Sequence, residues 1–179
     1  VKTPMDYNLA IEIAKDIISV PNCEVLLSGE KTAYIMPKTE EYLIRMTKVV
    51  QYKTTIIKSL DEIQEDILKV SVCDLSGIAN SEKYFADKWS DKAAAAVSGD
   101  QYMDFMDLCV SKGDALKKVQ KIYGIDRSEC MAFGDNYNDC EMLKQAEFSY
   151  AMASAADDIK KNALYVTDSV EKILRGELL

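Results

Sequence analysis

The sequence predicts a two-part α/β chain: an α+β domain over residues 1–108, then a partial Rossmann-like parallel-sheet core over 109–179. Between positions 23 and 108, apolar runs come in pairs around Gly29-Glu30-Lys31 and Ser98-Gly99-Asp100, the mark of hairpins. With helices interspersed, such hairpins build a sheet covered on one face. From Ser111 onward helix and strand alternate strictly, and the run 130–133 is almost wholly apolar, as befits a parallel strand buried on both faces. This second part has about three strands, where a free-standing doubly wound domain has about five or six, so a missing partner segment is expected.

The first helix is expected over 4–19: Thr3 can cap it, Pro4 suits a first turn, and the pairs Ala10/Ile11, Ile13/Ala14 and Ile17/Ile18 recur on one face. Pro21 closes it. Strands follow at 23–28 and 32–37, then a helix at 40–50, a short helix near 60–64, a strand at 67–72 and an amphipathic helix at 78–89. A strand pair at 92–97 and 102–108 completes the first part. The second begins with helix 113–123, ended by Gly124. Strand 130–133 leads to helix 138–146, with Asn138 as cap and Glu141 three residues on as its capping-box partner. Strand 148–152, helix 156–161, strand 164–167 and helix 169–175 complete the chain.

Composition excludes several classes of function. The 22 basic and 30 acidic residues give a net charge of −8 with no dense basic run, which argues against a nucleic-acid partner. No stretch approaches roughly 18 uninterrupted apolar residues and no secretory signal is recognisable, so a soluble cytoplasmic protein without membrane partners is expected. Five cysteines without a CxxC pair fall mostly in apolar runs, which disfavours both a disulfide framework and a zinc site. The absence of histidine removes the commonest general base and metal ligand. Carboxylates, lysine, hydroxyls or a hard cation must carry any chemistry.

One stretch gathers such groups: Met131-Ala132-Phe133-Gly134-Asp135-Asn136-Tyr137-Asn138-Asp139. A buried strand runs into glycine and two acids four residues apart, at the strand end where open α/β sheets bind ligands. Oxygen donors without nitrogen or sulfur suit Mg²⁺, which binds through one or two carboxylates, waters and substrate phosphate. The alternative is that Asp135, Asn136, Asn138 and Asp139 are only turn and cap residues, as Asn and Asp often are.

Together with Val110-Ser111-Lys112-Gly113-Asp114-Ala115-Leu116 and Tyr150-Ala151-Met152-Ala153-Ser154-Ala155, this stretch resembles the C-terminal half of Cof-type phosphatases of the haloacid dehalogenase superfamily. The resemblance is close over about residues 108–179, and residues 1–108 fit that subfamily's inserted α+β cap, of the C2 type, in size and position. It implies a Mg²⁺-dependent phosphomonoesterase acting on a small phosphorylated metabolite through an aspartyl-phosphate. It places the lysine that holds nucleophile and phosphate charge on Lys112, and the Mg²⁺ ligand on Asp135. Asn138 and Asp139 then support the metal waters, the phosphate and Lys112, with Asp139 counted among both the metal and the catalytic residues. Ser154 departs from the Gly or Asn more usual in the family's loop beside the active site.

The family's nucleophile lies in Asp-x-Asp-Gly-Thr/Ser, and this chain has no such run. Val72-Cys73-Asp74-Leu75-Ser76-Gly77 imitates it, but Ser76 replaces the second acid. The chain alone is therefore expected to be inactive. Two further readings stay open: a non-catalytic assembly module that pairs with itself or with a missing N-terminal half, and a phosphomutase or sugar-phosphate phosphatase branch of the superfamily. Tyr34, Tyr84 and Trp89 read as core rather than pocket residues.

Overall fold

The computed structural model describes residues 2–50 and 53–176. The chain divides into two compact units, Lys2–Cys109 and the part from Val110 onward.

In the first unit, helix α1 (Tyr7–Ser19) precedes strands β1 (Cys23–Gly29) and β2 (Ala33–Ile35). Helix α2 (Glu40–Ile44) continues as a π-helical turn (Arg45–Val49), and strand β3 (Thr54–Ile56) follows. Strand β4 (Ile67–Asp74), helix α3 (Glu82–Trp89) and strands β5 (Ala94–Gly99) and β6 (Tyr102–Met106) complete the unit. The strands form one six-stranded sheet in the order β3-β2-β1-β4-β6-β5, antiparallel except for the β2–β3 pair.

Period-two alternation gives this sheet two different faces. Val25 and Leu27 of β1, Val70 and Val72 of β4, and Met103 and Phe105 of β6 pack with Ala10, Ile13, Ala14 and Ile17 of α1 and with Phe85 and Trp89 of α3. Asp16 joins the two helices: its carboxylate accepts from Tyr84 Oη at 2.9 Å, Lys88 Nζ at 2.5 Å and Trp89 Nε1 at 2.8 Å. On the other face a smaller cluster forms among the described residues, where Tyr42 and Met46 cover Leu26, Ala33, Ile35 and Cys73.

Several boundaries differ from the sequence expectation, each for a local reason. The first helix starts at Tyr7 because Asp6 caps it, accepting from Leu9 N at 2.9 Å, while Met5 N–H donates to Ile67 O beside β4. The run expected as one helix over 78–89 breaks into a 3₁₀ turn and α3, after Gly77 at φ 111°. β3 was not expected: its Thr-Thr-Ile is short and mostly exposed, so it carries no apolar periodicity. Trp89 is core, Tyr34 is half-buried and donates to Glu65, and Tyr84 is exposed and bound to Asp16.

In the second unit, helix α4 (Lys112–Tyr123) is followed by strand β7 (Met131–Gly134), a 3₁₀ turn (Tyr137–Asp139) and helix α5 (Cys140–Gln145). Strand β8 (Phe148–Met152), helix α6 (Asp157–Lys160), strand β9 (Tyr165–Thr167) and helix α7 (Val170–Leu174) complete it. The three strands are parallel in the order β7-β8-β9, as their apolar character and helical crossovers require. Ala132, Leu143, Ala146, Ala155 and Ile159 form the core on one face. The rings of Phe133, Tyr150 and Tyr165 stack in a row across the three strands, at centroid distances of 5.2 and 5.1 Å. β7 pairs only with β8 among the described residues.

Candidate active site

The site is built where β7 ends. Because β7 and β8 run parallel with Gly134 opposite Ala151, the Asp135 loop and the turn holding Ser154 emerge at the same end of the sheet. That turn is exposed and tied back by Ala153 N–H donating to Thr167 O at 2.7 Å.

After Gly134 the chain folds over the side chain of Asp139. A Cβ at position 134 would stand 2.5 Å from Asp139 Cβ, so the residue must be glycine for reasons of space. Asp139 Oδ2 accepts the backbone N–H groups of Asp135 at 3.0 Å and Asn136 at 3.1 Å. Asp139 Oδ1 accepts from Lys112 Nζ. Asp139 is buried while the Lys112 side chain is half exposed. Burial pushes the Asp139 carboxyl up, but the Lys112 ammonium and the two backbone donors outweigh it and hold the group below the ordinary carboxylate range.

The lysine reaches this carboxylate because α4 begins beside α5. Ser111 caps α4, accepting from Asp114 N at 3.1 Å, and its hydroxyl donates to Glu141 Oε2 at 2.8 Å. Gly113 lets the helices approach: a Cβ there would meet Glu141 Cβ at 2.7 Å and its backbone carbon at 2.9 Å.

Lys112 and Asp139 are thus in contact, and Asp135 is bonded to Asp139 through its amide. The Asp135 carboxylate and the Asn138 amide are exposed and make no side-chain hydrogen bond or ion pair among the described residues. Both oxygens of Asp139 already have protein partners, whereas those of Asp135 are free for a ligand. Sequence reasoning missed Glu141: expected as the capping-box partner of Asn138, it bonds Ser111 instead, and the capping box is formed by Asn136 and Asp139. The spacing Asn-x-x-Asp from position 136 was the available signal.

Among the described residues no group of three or more His, Cys, Asp or Glu side chains could hold a metal, so no all-protein cage exists. One free carboxylate beside an exposed amide fits Mg²⁺, which keeps several waters and shares its shell with phosphate oxygens.

Comparison with known proteins agrees with the fold. Residues 1–173 match the family model of haloacid dehalogenase-like hydrolases, and the chain belongs to that family. It is 27% identical over 176 residues to the 5-amino-6-(5-phospho-D-ribitylamino)uracil phosphatase YbjI of Escherichia coli, covering 92% of this chain and 65% of that enzyme. The chain therefore spans just under two thirds of that relative's length. Among solved structures, SMU.1108c of Streptococcus mutans superposes with a TM-score of 0.78 at 26% identity, covering 99% of this chain and 70% of that one. The subclass IIB sugar phosphatase BT4131 superposes with a TM-score of 0.77 at 16% identity, covering 98% and 68%, and so shares the fold. Among the described residues no helix is long and apolar enough to cross a membrane.

Proposed function

We propose that this chain carries the lysine and the metal-binding acid of a Mg²⁺-dependent phosphomonoesterase that acts on a small phosphorylated metabolite in the cytoplasm. The observation that carries this reading is the shared carboxylate: Asp139 holds Lys112 Nζ with one oxygen and the backbone of the Asp135 loop with the other. That arrangement keeps a cation and a free carboxylate together at the end of a parallel strand, where the sheet's ligands bind. The phosphatase named among the relatives supports the same class of reaction.

In this reading Asp135 would hold Mg²⁺, and Asn138 would support the bound ion and the phosphate. The bound cation supplies charge neutralisation at the phosphoryl oxygens. Lys112 adds a positive charge to the phosphoryl group and the attacking carboxylate, charge stabilisation being the main contribution to phosphoryl transfer. Asp139 fixes the direction of Lys112 and the loop, acting behind both. The nucleophilic aspartate comes from outside these 179 residues. Asp74, the nearest imitation, is buried and accepts from Ser76 N, Ser76 Oγ and Ser81 Oγ, which makes it a turn residue.

Two measurements test the proposal. Titration of the ¹⁵N-labelled chain with Mg²⁺ should shift the amides of residues 134–139 saturably, and Asp135→Asn should remove the response. Turnover of p-nitrophenyl phosphate should be absent in the chain alone and appear when a strand carrying Asp-x-Asp-Gly-Thr is fused to it. Robust turnover by the unfused chain, lost on Asp135→Asn, would overturn the external nucleophile. A fused chain that binds Mg²⁺ yet turns over no phosphate ester would overturn the phosphatase.

A second reading, an assembly module, is favoured by the outer edge of β7, unpaired among the described residues, and by the exposed Met131 and Phe148. Sedimentation at several concentrations decides it: a strictly monomeric, folded chain removes that reading.

A further inference from the structure

Glu141 touches both chain neighbours of Lys112. Its Oε2 accepts the Ser111 hydroxyl at 2.8 Å. On the other side Gly113 lies against it so closely that a Cβ at 113 would stand 2.7 Å from Glu141 Cβ. Lys112, between the two, donates through Nζ to Asp139, which precedes Glu141 at the start of α5. The two side-chain bonds close a ring that runs from Ser111 through Lys112 to Asp139, along the chain to Glu141, and back to Ser111.

Asp139 holds only the tip of this lysine. Its Oδ2 is taken by the amides of Asp135 and Asn136, which leaves Oδ1 for the ammonium. A lysine side chain is a flexible four-carbon stem whose ordering is among the costliest of any residue. One bond at the far end lets that stem pivot unless the backbone at 112 is fixed as well. The Ser111–Glu141 bond fixes it. Ser111 Oγ accepts from Asp114 N at 3.1 Å as the cap of α4, so its remaining hydrogen-bonding capacity, the O–H, goes to Glu141.

Glu141 is free for this duty because the capping box ahead of α5 is made by Asn136 and Asp139. Its charge also suits the place. Lys112 opens a 12-residue helix, where the macrodipole disfavours a cation, and a carboxylate bonded to the cap residue opposes that effect.

We propose that Glu141 is a positioning residue, which fixes the base of Lys112 through the Ser111 hydroxyl so that Asp139 has only the ammonium to hold. The use of Lys112 on a phosphoryl group rests on the function proposed above; the clamp on Lys112 stands without it.

The test reads Lys112 directly in the whole chain, with no metal or phosphate added. The ¹⁵N order parameter of the Lys112 ammonium should fall about twofold in Glu141→Ala and in Ser111→Ala, and no further in the double variant. Glu141→Gln keeps an acceptor oxygen and Ser111→Thr keeps a hydroxyl, so each should retain the parental order. Gln145→Ala is the control for a merely structural role. It breaks the other side-chain tie between α4 and α5, from Gln145 Nε2 to Gln120 Oε1 at 2.6 Å, and should lower urea stability while leaving Lys112 ordered. Unchanged order in Glu141→Ala and Ser111→Ala, equal loosening in Gln145→Ala, or additive losses in the double variant would overturn the proposal. In the chain fused to the Asp-x-Asp-Gly-Thr strand, with Mg²⁺, kcat for p-nitrophenyl phosphate should fall about tenfold in Glu141→Ala and recover in Glu141→Gln. A loosened Lys112 with unchanged kcat would uphold the clamp and overturn the part given to Lys112 in the phosphatase, so the two failures are told apart.

Discussion

Replacing Gly134 by alanine probes the centre of the candidate site with a single methyl group. The new Cβ would lie 2.5 Å from Asp139 Cβ, 3.0 Å from its Cγ and 3.2 Å from Oδ2. The first contact is to an atom fixed to the backbone, and Asp139 N–H is itself bonded to Asn136 O at 3.0 Å, so the carboxylate cannot withdraw without moving the loop. Overpacking of this kind costs about 1–3 kcal/mol. Loosening the bonds to a buried carboxylate adds about 1.5–3 kcal/mol, and the stiffer unfolded chain offsets about 0.4–1 kcal/mol. A net loss of about 2–5 kcal/mol should appear in urea unfolding followed by circular dichroism. Hydrogen exchange should quicken at the Asp135 and Asn136 amides, the donors to Asp139 Oδ2. A loss below about 0.5 kcal/mol, with both amides still protected, would refute the close approach on which the site depends.

Other outcomes follow from the same geometry. Gly113→Ala should cost about 1–3 kcal/mol, because the added methyl meets the backbone of Glu141; unchanged urea stability would show that α4 and α5 are further apart. Tyr42→Phe should be neutral or stabilising by up to about 1 kcal/mol, since the buried Tyr42 hydroxyl has no hydrogen-bond partner among the described residues; a clear loss in the same assay would reveal one. Burial pushes the Asp16 carboxyl up, but Lys88, Trp89 and Tyr84 outweigh it and hold the group below the ordinary range. The ionised form is the one the fold favours, so its contribution is complete above about pH 4 and fades as pH falls through the depressed folded value. Asp16→Asn should therefore destabilise the chain by about 1–2 kcal/mol at about pH 7 and by less at about pH 3, and an equal loss at both would contradict this.

Much of the parallel unit was legible because its signals are local. Gly124 after a periodic run, an apolar strand before Gly134, and Asp135 at the strand end each carry their meaning within a few residues. The partners were less legible. Glu141 looked like a cap for Asn138, yet its carboxylate meets Ser111, a pairing across 30 positions that no local spacing encodes. In the antiparallel unit the hairpins showed in their turn residues. β3 did not, since a short parallel edge strand of exposed threonines owes its place to β2.

The contact between Lys112 and Asp139 joins residues 27 positions apart. A peptide cut from the segment around residues 130–146 would contain every acid of the proposed metal loop and still lack the ammonium that Asp139 holds. The competent arrangement therefore arises only after α4 has docked, and mutations far from position 135 that weaken the seating of this helix should blunt cation affinity as surely as changes in the loop itself.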